Sequence, residues 1–174
     1  MTIDLRHYIR DIPDFPKPGI VFKDITPLLA NGQVLRWTVD HLSERYRGAA
    51  DMVLGVESRG FIIGAALAYS LGVGFAIVRK PGKLPAQTFS AQYDLEYGSD
   101  ALEIHRDAFG RDARVLIVDD LLATGGTASA TIELVERLHG EIVECAFIIE
   151  LTFLHGRERL APRSVYSMVQ FDGE

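Results

Sequence analysis

The segment that most constrains this chain is residues 115–129, which read Val-Leu-Ile-Val-Asp-Asp-Leu-Leu-Ala-Thr-Gly-Gly-Thr-Ala-Ser. Its first four residues are apolar and predict a buried strand, and Asp119 and Asp120 follow them directly. Glycines in the turn at 123–127 let backbone N–H groups converge, and the helical pattern after it adds the partial positive charge of a helix N-terminus. The segment therefore predicts a phosphate-binding loop.

The two carboxylates after the strand indicate what accompanies the phosphate. Because like charges repel, Asp119 and Asp120 are better suited to hydroxyl groups, or to a divalent cation that travels with the phosphate. Hydroxyls beside a phosphate indicate a sugar phosphate. The segment is neither a Walker A loop, since no Gly-Lys-Ser/Thr closes it, nor a Gly-x-Gly-x-x-Gly dinucleotide loop.

Apolar segments alternate with helical patterns along the rest of the chain. Strands are predicted at 52–56, 74–78, 114–118 and 143–151 with helices between them, and this alternation favours an α/β fold with a parallel sheet. Ligands of such sheets bind at the carboxyl ends of the strands. The polar segments expected to meet there are Glu57-Ser58-Arg59-Gly60, Arg79-Lys80 and Asp119-Asp120.

Two segments are predicted to lie outside this alternation. Residues 6–12 are expected to form a short helix. Strand patterns at 87–91 and 101–104, within a region that contains Pro, Gly, Gln and Ser, predict a long hairpin. Loops of this length in compact domains are usually functional or disordered.

Length and composition fit one globular domain. The chain has 174 residues, and its 24 acidic residues against 18 Lys and Arg give a net charge of −6, which argues against a nucleic-acid-binding protein. Cys145, the single cysteine, lies in an apolar stretch and is expected to be a buried thiol. No signal peptide and no apolar run of membrane-spanning length is visible, so we expect a cytoplasmic location and no membrane partner.

The apolar strand, the two acids and the Thr-Gly-Gly-Thr loop resemble the signature with which type I phosphoribosyltransferases bind 5-phosphoribosyl-1-diphosphate (PRPP). The resemblance covers nearly the whole chain and implies that family's fold, a mainly parallel sheet flanked by helices with an N-terminal hood and a flexible active-site hairpin. It implies a single domain over 1–174, with the hood at about 1–32, the core at about 33–174 and the flexible loop at about 80–103. The other segments that carry the resemblance are residues 18–27, 57–60, 79–85 and 95–98.

The resemblance also implies which residues bind PRPP. Those for the 5′-phosphate and the ribose are Asp119, Asp120, Ala123, Thr124, Gly125, Gly126 and Thr127. Those for the diphosphate are Glu57, Ser58, Arg59, Arg79, Lys80 and Lys83. In this family a non-proline cis peptide turns an amide toward the diphosphate, and here that bond would be Glu57–Ser58. Mg²⁺ is the implied cofactor, bound mostly through substrate and water with no firm protein ligand.

The hood segment, residues 18–27, is similar to that of the adenine-specific branch of the family. The similarity implies that main-chain groups of Val21 and Lys23 bind the edge of adenine, while Phe22 stacks on one face of the ring and Leu121 covers the other. A 6-oxopurine reverses the donor and acceptor pattern of adenine and would leave buried groups unpaired. The family often has Arg at position 23, and the change to Lys matters little if only the backbone binds.

The implied function is purine salvage, in which the 5-phosphoribosyl group passes from PRPP to adenine and gives AMP and diphosphate. The implied catalytic residues are Asp119 and Asp120 at the ribose, Arg59 at the leaving diphosphate, and Glu96 for the adenine proton or the cationic sugar. A homodimer is expected from the family alone, with no nucleic-acid partner. Two alternatives stay open: a phosphoribosyltransferase for another base, such as a 6-oxopurine or orotate, and a catalytically silent PRPP-binding regulator. The hood sequence argues against the first, and the acidic net charge argues against the second.

Overall fold

The computed structural model of the chain describes residues 3–94 and 99–173. Parallel strands form a central sheet whose members are β3 (Met52–Val56), β4 (Gly74–Val78), β7 (Arg114–Leu122), β8 (Glu141–Leu151) and β9 (Val165–Phe171). Their order across the sheet is β4-β3-β7-β8-β9, and every neighbouring pair is parallel. The predicted α/β fold with a mainly parallel sheet is confirmed.

Helices alternate with these strands, as predicted: α3 (Arg59–Leu71) follows β3, α4 (Gly126–Arg137) follows β7, and α5 (Gly156–Arg159) follows β8 after a short 3-10 helix at Thr152–Leu154. Before β3 lie α1 (Thr26–Ala30), α2 (Gly32–Tyr46) and a 3-10 helix at Leu5–Tyr8. Within the described residues, no helix combines the length and the apolar character needed to cross a membrane.

The sheet is buried on both faces, which explains why its strands read as continuous apolar runs. In β7, Val115 and Ile117 belong to the core on the side of α4, whereas Leu116 and Val118 belong to the core on the side of α2 and α3. This division follows from the two-residue period of a strand. Cys145 in β8 is fully buried, as expected.

The N-terminal residues form a small antiparallel sheet, and the predicted helix at 6–12 is right only for its first residues and wrong for 10–12. The 3-10 helix ends at Tyr8 and is followed by β1 (Arg10–Ile12), which pairs with β2 (Phe22–Asp24). Opposite charges on directly opposed residues favour this pairing: Arg10 contacts Asp24 at 2.6 Å, and Lys23 contacts Asp11 at 2.9 Å. These residues lie far apart in sequence, so local periodicity could not reveal the strand.

A second antiparallel pair confirms the predicted long hairpin. Its strands are β5 (Thr88–Asp94) and β6 (Ser99–His105), and its turn lies outside the described residues. Ala91 of β5 and Leu102 and Ile104 of β6 are at most 1% exposed and belong to the same hydrophobic core as α4. Both strands of the hairpin therefore help to build the core, and closure of this segment over the site stays a prediction.

Replacing Ile104 with Ala should test whether the hairpin is part of the core. We expect this truncation of a fully buried side chain to lower the free energy of unfolding by about 2–5 kcal/mol. The matched control is Ile62→Ala on α3, where the side chain is 47% exposed and the expected loss is below about 0.5 kcal/mol. Urea denaturation of both variants gives the comparison, and equal, small losses would contradict the packing of β6 on α4.

Candidate active site

The polar segments that follow β3 and end β7 meet at the carboxyl edge of the sheet, around a cavity of about 300 Å³. Residues predicted to bind PRPP or the base that line it are Glu57, Ser58, Arg59, Asp119, Asp120, Leu121, Ala123, Gly125 and Thr127. Sequence reasoning did not identify Leu122, Ala128 and Phe147, which also line it. Phe147 stands opposite Asp119 in the register of β7 and β8, so only knowledge of this strand pairing could have found it.

Strand β7 continues past the point where the sequence predicted its end. It runs to Leu122 instead of Val118, so the two acids lie within the strand and not after it. Pairing with β8 holds this extension, in which Asp119 stands opposite Phe147. As a result, Asp119 and Asp120 are held by the sheet itself.

A glycine lets α3 approach the acids closely. A Cβ atom at Gly60 would lie 2.8 Å from Asp119 Oδ1 and 2.9 Å from the Val118 carbonyl oxygen, distances at which another residue would force the backbone apart. The first residue of α3, Arg59, donates a hydrogen bond from Nε to Asp120 Oδ2 and forms an ion pair with it. The helix start and the strand end thus form a single unit.

Two helix N-termini face the cavity. The residues that precede them, Ser58 before α3 and Gly125 before α4, both line it. Neither makes a side-chain capping hydrogen bond, and Gly125 has a positive φ of 80°, which suits glycine. Free N–H groups at a helix N-terminus attract anions. The cavity therefore offers two separate places for phosphate groups.

A second glycine, Gly156, lies directly against the backbone of the loop before α4. A Cβ at Gly125 would lie 2.6 Å from the Gly156 carbonyl oxygen, and one at Gly156 would lie 2.1 Å from the Ala123 carbonyl oxygen. Two backbones are therefore in direct contact, which fixes the path of the loop. Sequence reasoning missed Gly156, because a single glycine after a strand does not show which loop it contacts.

The two acids differ in their electrostatic environment. Burial, together with the neighbouring Asp120 carboxylate, raises the pKa of Asp119 well above its usual value. The Asp120 N–H donates to Asp119 Oδ1 at 2.9 Å, and the charge of Arg59 also opposes this increase. Asp120 has its own ion pair with Arg59, so Asp119 is the acid that a hydroxyl donor or a cation would stabilise most.

The basic segment after β4 is arranged around Glu57. Its carboxylate accepts from the Lys80 N–H at 2.9 Å and from Arg79 Nε and Nη2 at 3.2 and 3.3 Å. The Lys80 hydrogen bond, the Arg79 guanidinium and the charge of Lys83 lower the pKa of Glu57 against the opposing effect of burial. The three cations of this segment, Arg79, Lys80 and Lys83, thus lie around Glu57, which lines the cavity, although none of the three lines it. The predicted cis peptide bond at Glu57–Ser58 is present.

The hood reaches the site through Phe22, whose ring centroid lies 5.0 Å from Arg59 Cζ. Lys23 is only 3% exposed; its Nζ contacts Asp11 and lies 4.5 Å from the centroid of the Phe171 ring. The Lys23 side chain thus makes its contacts within the hood and with β9. Of the remaining predicted residues, Val21, Phe22, Lys23, Thr124 and Gly126 do not line the cavity, and Glu96 lies outside the described residues.

Three kinds of comparison with known proteins identify the same family. The sequence model of the phosphoribosyl transferase domain matches residues 27–172. An adenine phosphoribosyltransferase of Chloroflexus aurantiacus is 60% identical over 169 residues, which cover 97% of this chain and 98% of that protein. The crystal structure of the adenine phosphoribosyltransferase of Thermoanaerobacter pseudethanolicus has a TM-score of 0.93 at 52% identity, covering 96% of this chain and 98% of that one. The Saccharomyces cerevisiae enzyme, crystallised with an imino-altritol bisphosphate and adenine, has a TM-score of 0.90 at 43% identity, covering 95% and 96%.

The raised pKa of Asp119 predicts a stability gain when its charge is removed. A carboxyl whose pKa is raised by folding destabilises the folded state at every pH above its unfolded-state pKa, so Asp119→Asn should raise the free energy of unfolding at neutral pH by about 1 kcal/mol. The gain should shrink as the pH falls toward about 4, because the folded protein then protonates Asp119 anyway. Thermal denaturation at both pH values measures this, and activity should fall at the same time.

Asp51→Asn is the matched control at the opposite, amino-terminal edge of the sheet. The hydrogen bonds that Asp51 accepts from Arg114 lower the pKa of Asp51 to about 2, so replacing Asp51 with Asn should lower stability at neutral pH. That loss should shrink as the pH falls through the range between about 4 and the lowered pKa. A stability loss for Asp119→Asn at neutral pH would contradict the assigned environment.

Proposed function

The chain belongs to the phosphoribosyl transferase domain family, and we propose that it transfers the 5-phosphoribosyl group of PRPP to adenine, giving AMP and diphosphate. The observation that carries this proposal is the cavity in which two carboxylates lie between two uncapped helix N-termini. Such a cavity matches a sugar that carries phosphate groups at both ends. The adenine phosphoribosyltransferases described above support adenine as the acceptor base.

The loop before α4 is the proposed site of the 5′-phosphate. Backbone N–H groups of residues 123–127 and the α4 N-terminus supply donors and positive partial charge. Asp119 and Asp120 would accept hydrogen bonds from the ribose hydroxyls. Both carboxylates would also stabilise the positive charge that develops on the ribose as its C1–O bond to diphosphate breaks.

The diphosphate is proposed to lie at the α3 N-terminus, between Ser58 and the basic segment. Arg59, Lys80 and Lys83 would neutralise its charge as it leaves with the electrons of the broken bond. Glu57 and Arg79 pair with each other, so their proposed part in diphosphate binding is to hold the segment in place.

Adenine is proposed to bind between the hood and Leu121. Phe22 would stack on one face of the ring, and Leu121, which lines the cavity, would cover the other. The contacts of the Lys23 side chain with Asp11 and Phe171 support a purely main-chain role for this residue, shared with Val21. If only the main chain of residue 23 binds the base, Lys can stand at this position, where the family often has Arg.

Mg²⁺ is proposed to arrive bound to PRPP. In the described part of the chain, no three His, Cys, Asp or Glu side chains are grouped closely enough to hold a metal ion. The carboxylates of Asp119 and Asp120 are nevertheless the hard oxygen ligands that suit Mg²⁺ together with ribose hydroxyls and water. When bound, the ion would neutralise charge on the diphosphate.

Other parts of the proposal rest on the family resemblance. They are the division into a hood at about 1–32, a core at about 33–174 and a closing loop at about 80–103 within one domain, the role of Glu96 in proton or charge management, a homodimeric state and a cytoplasmic location. Closure of the loop would keep water from the reactive sugar.

Diphosphate release with PRPP, Mg²⁺ and one base at a time tests the proposal. We expect turnover with adenine and at least about a hundredfold lower kcat/KM with hypoxanthine, guanine and orotate, because a reversed hydrogen-bond pattern leaves buried groups unpaired. Turnover with another base would overturn the specificity argument and keep the chemistry. PRPP binding without turnover on any base would favour a silent regulator.

Phe22→Ala tests the base platform separately from PRPP binding. Loss of the stacking ring should raise the KM for adenine about tenfold, whereas the KM for PRPP should change much less. Phe15→Ala is the matched control, because Phe15 lies in the same hood with its ring 5.2 Å from that of Phe22 and is 50% exposed. Equal effects of the two variants on adenine would show that hood packing, and not stacking, is responsible.

A further inference from the structure

The hairpin carries two side chains, Tyr93 and Asp100, that the sequence analysis did not single out. They stand directly opposite each other in the register of β5 and β6, so both side chains lie on the same face of the hairpin. Tyr93 is 8% exposed and belongs to the same hydrophobic core as Ala128 of α4. The pair therefore lies between the basic segment and the loop before α4.

Hydrogen bonds join this pair to the basic segment. Lys80 Nζ donates a hydrogen bond to Asp100 Oδ2 and forms an ion pair with it. The Tyr93 hydroxyl donates a hydrogen bond to the same oxygen at 3.2 Å. The nearby Thr127 side chain lowers the pKa of Tyr93, against the larger effect of burial. Thr127 is in the first turn of α4 and lines the cavity, so the hydrogen-bonded group of Lys80, Asp100 and Tyr93 extends from the basic segment toward the proposed 5′-phosphate loop.

The charges in this group are maintained by the contacts themselves. The hydrogen bond from Lys80 and the one from the Ala101 N–H lower the pKa of Asp100. The same hydrogen bond to Asp100 raises the pKa of Lys80, so both groups stay ionised. An ammonium has three N–H donors, and donation to Asp100 leaves two of them for phosphate oxygens.

The backbone places Lys80 beside the proposed diphosphate subsite. Its N–H donates to Glu57, which lines the cavity. The Lys80 side chain is 52% exposed, and a long exposed side chain without a partner would sample many rotamers. The ion pair with Asp100 restricts this freedom.

We propose that Asp100 is a positioning residue that holds the Lys80 ammonium ready for the diphosphate of PRPP, and that the buried Tyr93 holds Asp100 in place through its hydroxyl. The inference rests on the proposed function, because it assigns the diphosphate to the segment that contains Lys80. It adds that side chains of the hairpin position a group of the diphosphate subsite.

Calorimetric titration with two ligands separates this role from a structural one. PRPP and ribose 5-phosphate share the 5′-phosphate and the hydroxyls, but only PRPP carries the diphosphate. With Mg²⁺ present, Asp100→Asn should weaken PRPP binding by about three- to fivefold, as expected for a partly exposed ion pair, and leave the Kd of ribose 5-phosphate unchanged. In a Lys80→Met background, Asp100→Asn should have no further effect, since Asp100 acts through Lys80.

Asp107→Asn is the charge-matched control, because it removes the same charge from an exposed position just after β6. It should leave both dissociation constants and the Tm unchanged. Tighter PRPP binding by Asp100→Asn, equal weakening of both ligands, or additive effects of Asp100→Asn and Lys80→Met would each overturn the proposal. Failure of the unmodified protein to bind PRPP would instead contradict the proposed function and so is distinguished from these outcomes.

Discussion

The close approach of α3 to the end of β7 at Gly60 is the constraint on which the site depends. Without a side chain at this position, the helix start lies directly against Val118 and Asp119. The same approach brings Arg59 to Asp120 and places the α3 N-terminus beside that of α4. One missing Cβ therefore allows two anion-attracting helix ends and two carboxylates to share one cavity.

This arrangement concentrates charge that the folded protein does not fully compensate. Arg59 balances Asp120, whereas burial raises the pKa of Asp119. The N–H groups at both helix starts lack side-chain caps. The proposed substrate, with phosphates at its ends and hydroxyls between them, would supply the missing partners. A site that is preorganised for charged groups usually lowers the stability of the protein when no ligand is bound.

Much of the fold and part of the site could be predicted from local sequence. The run 115–129 predicted a strand, two acids and a helix that starts after a glycine turn, because each depends on neighbouring residues, and the apolar runs at 52–56 and 74–78 match β3 and β4. What could not be predicted depends on residues distant in sequence. Strand β1 pairs with β2, where opposite charges face each other. Gly156 contacts a loop some thirty residues earlier in the chain. Asp100 lies beside Lys80 only because the hairpin folds back toward the basic segment.

The most direct test of the account is a crystal structure of the protein with PRPP, Mg²⁺ and a non-reactive adenine analogue. The account predicts the 5′-phosphate on the backbone N–H groups of residues 123–127, the ribose hydroxyls at Asp119 and Asp120, and the diphosphate at the α3 N-terminus. The base should lie between Phe22 and Leu121. A reversed PRPP, with its diphosphate in the loop before α4, or a base bound away from the hood would contradict it.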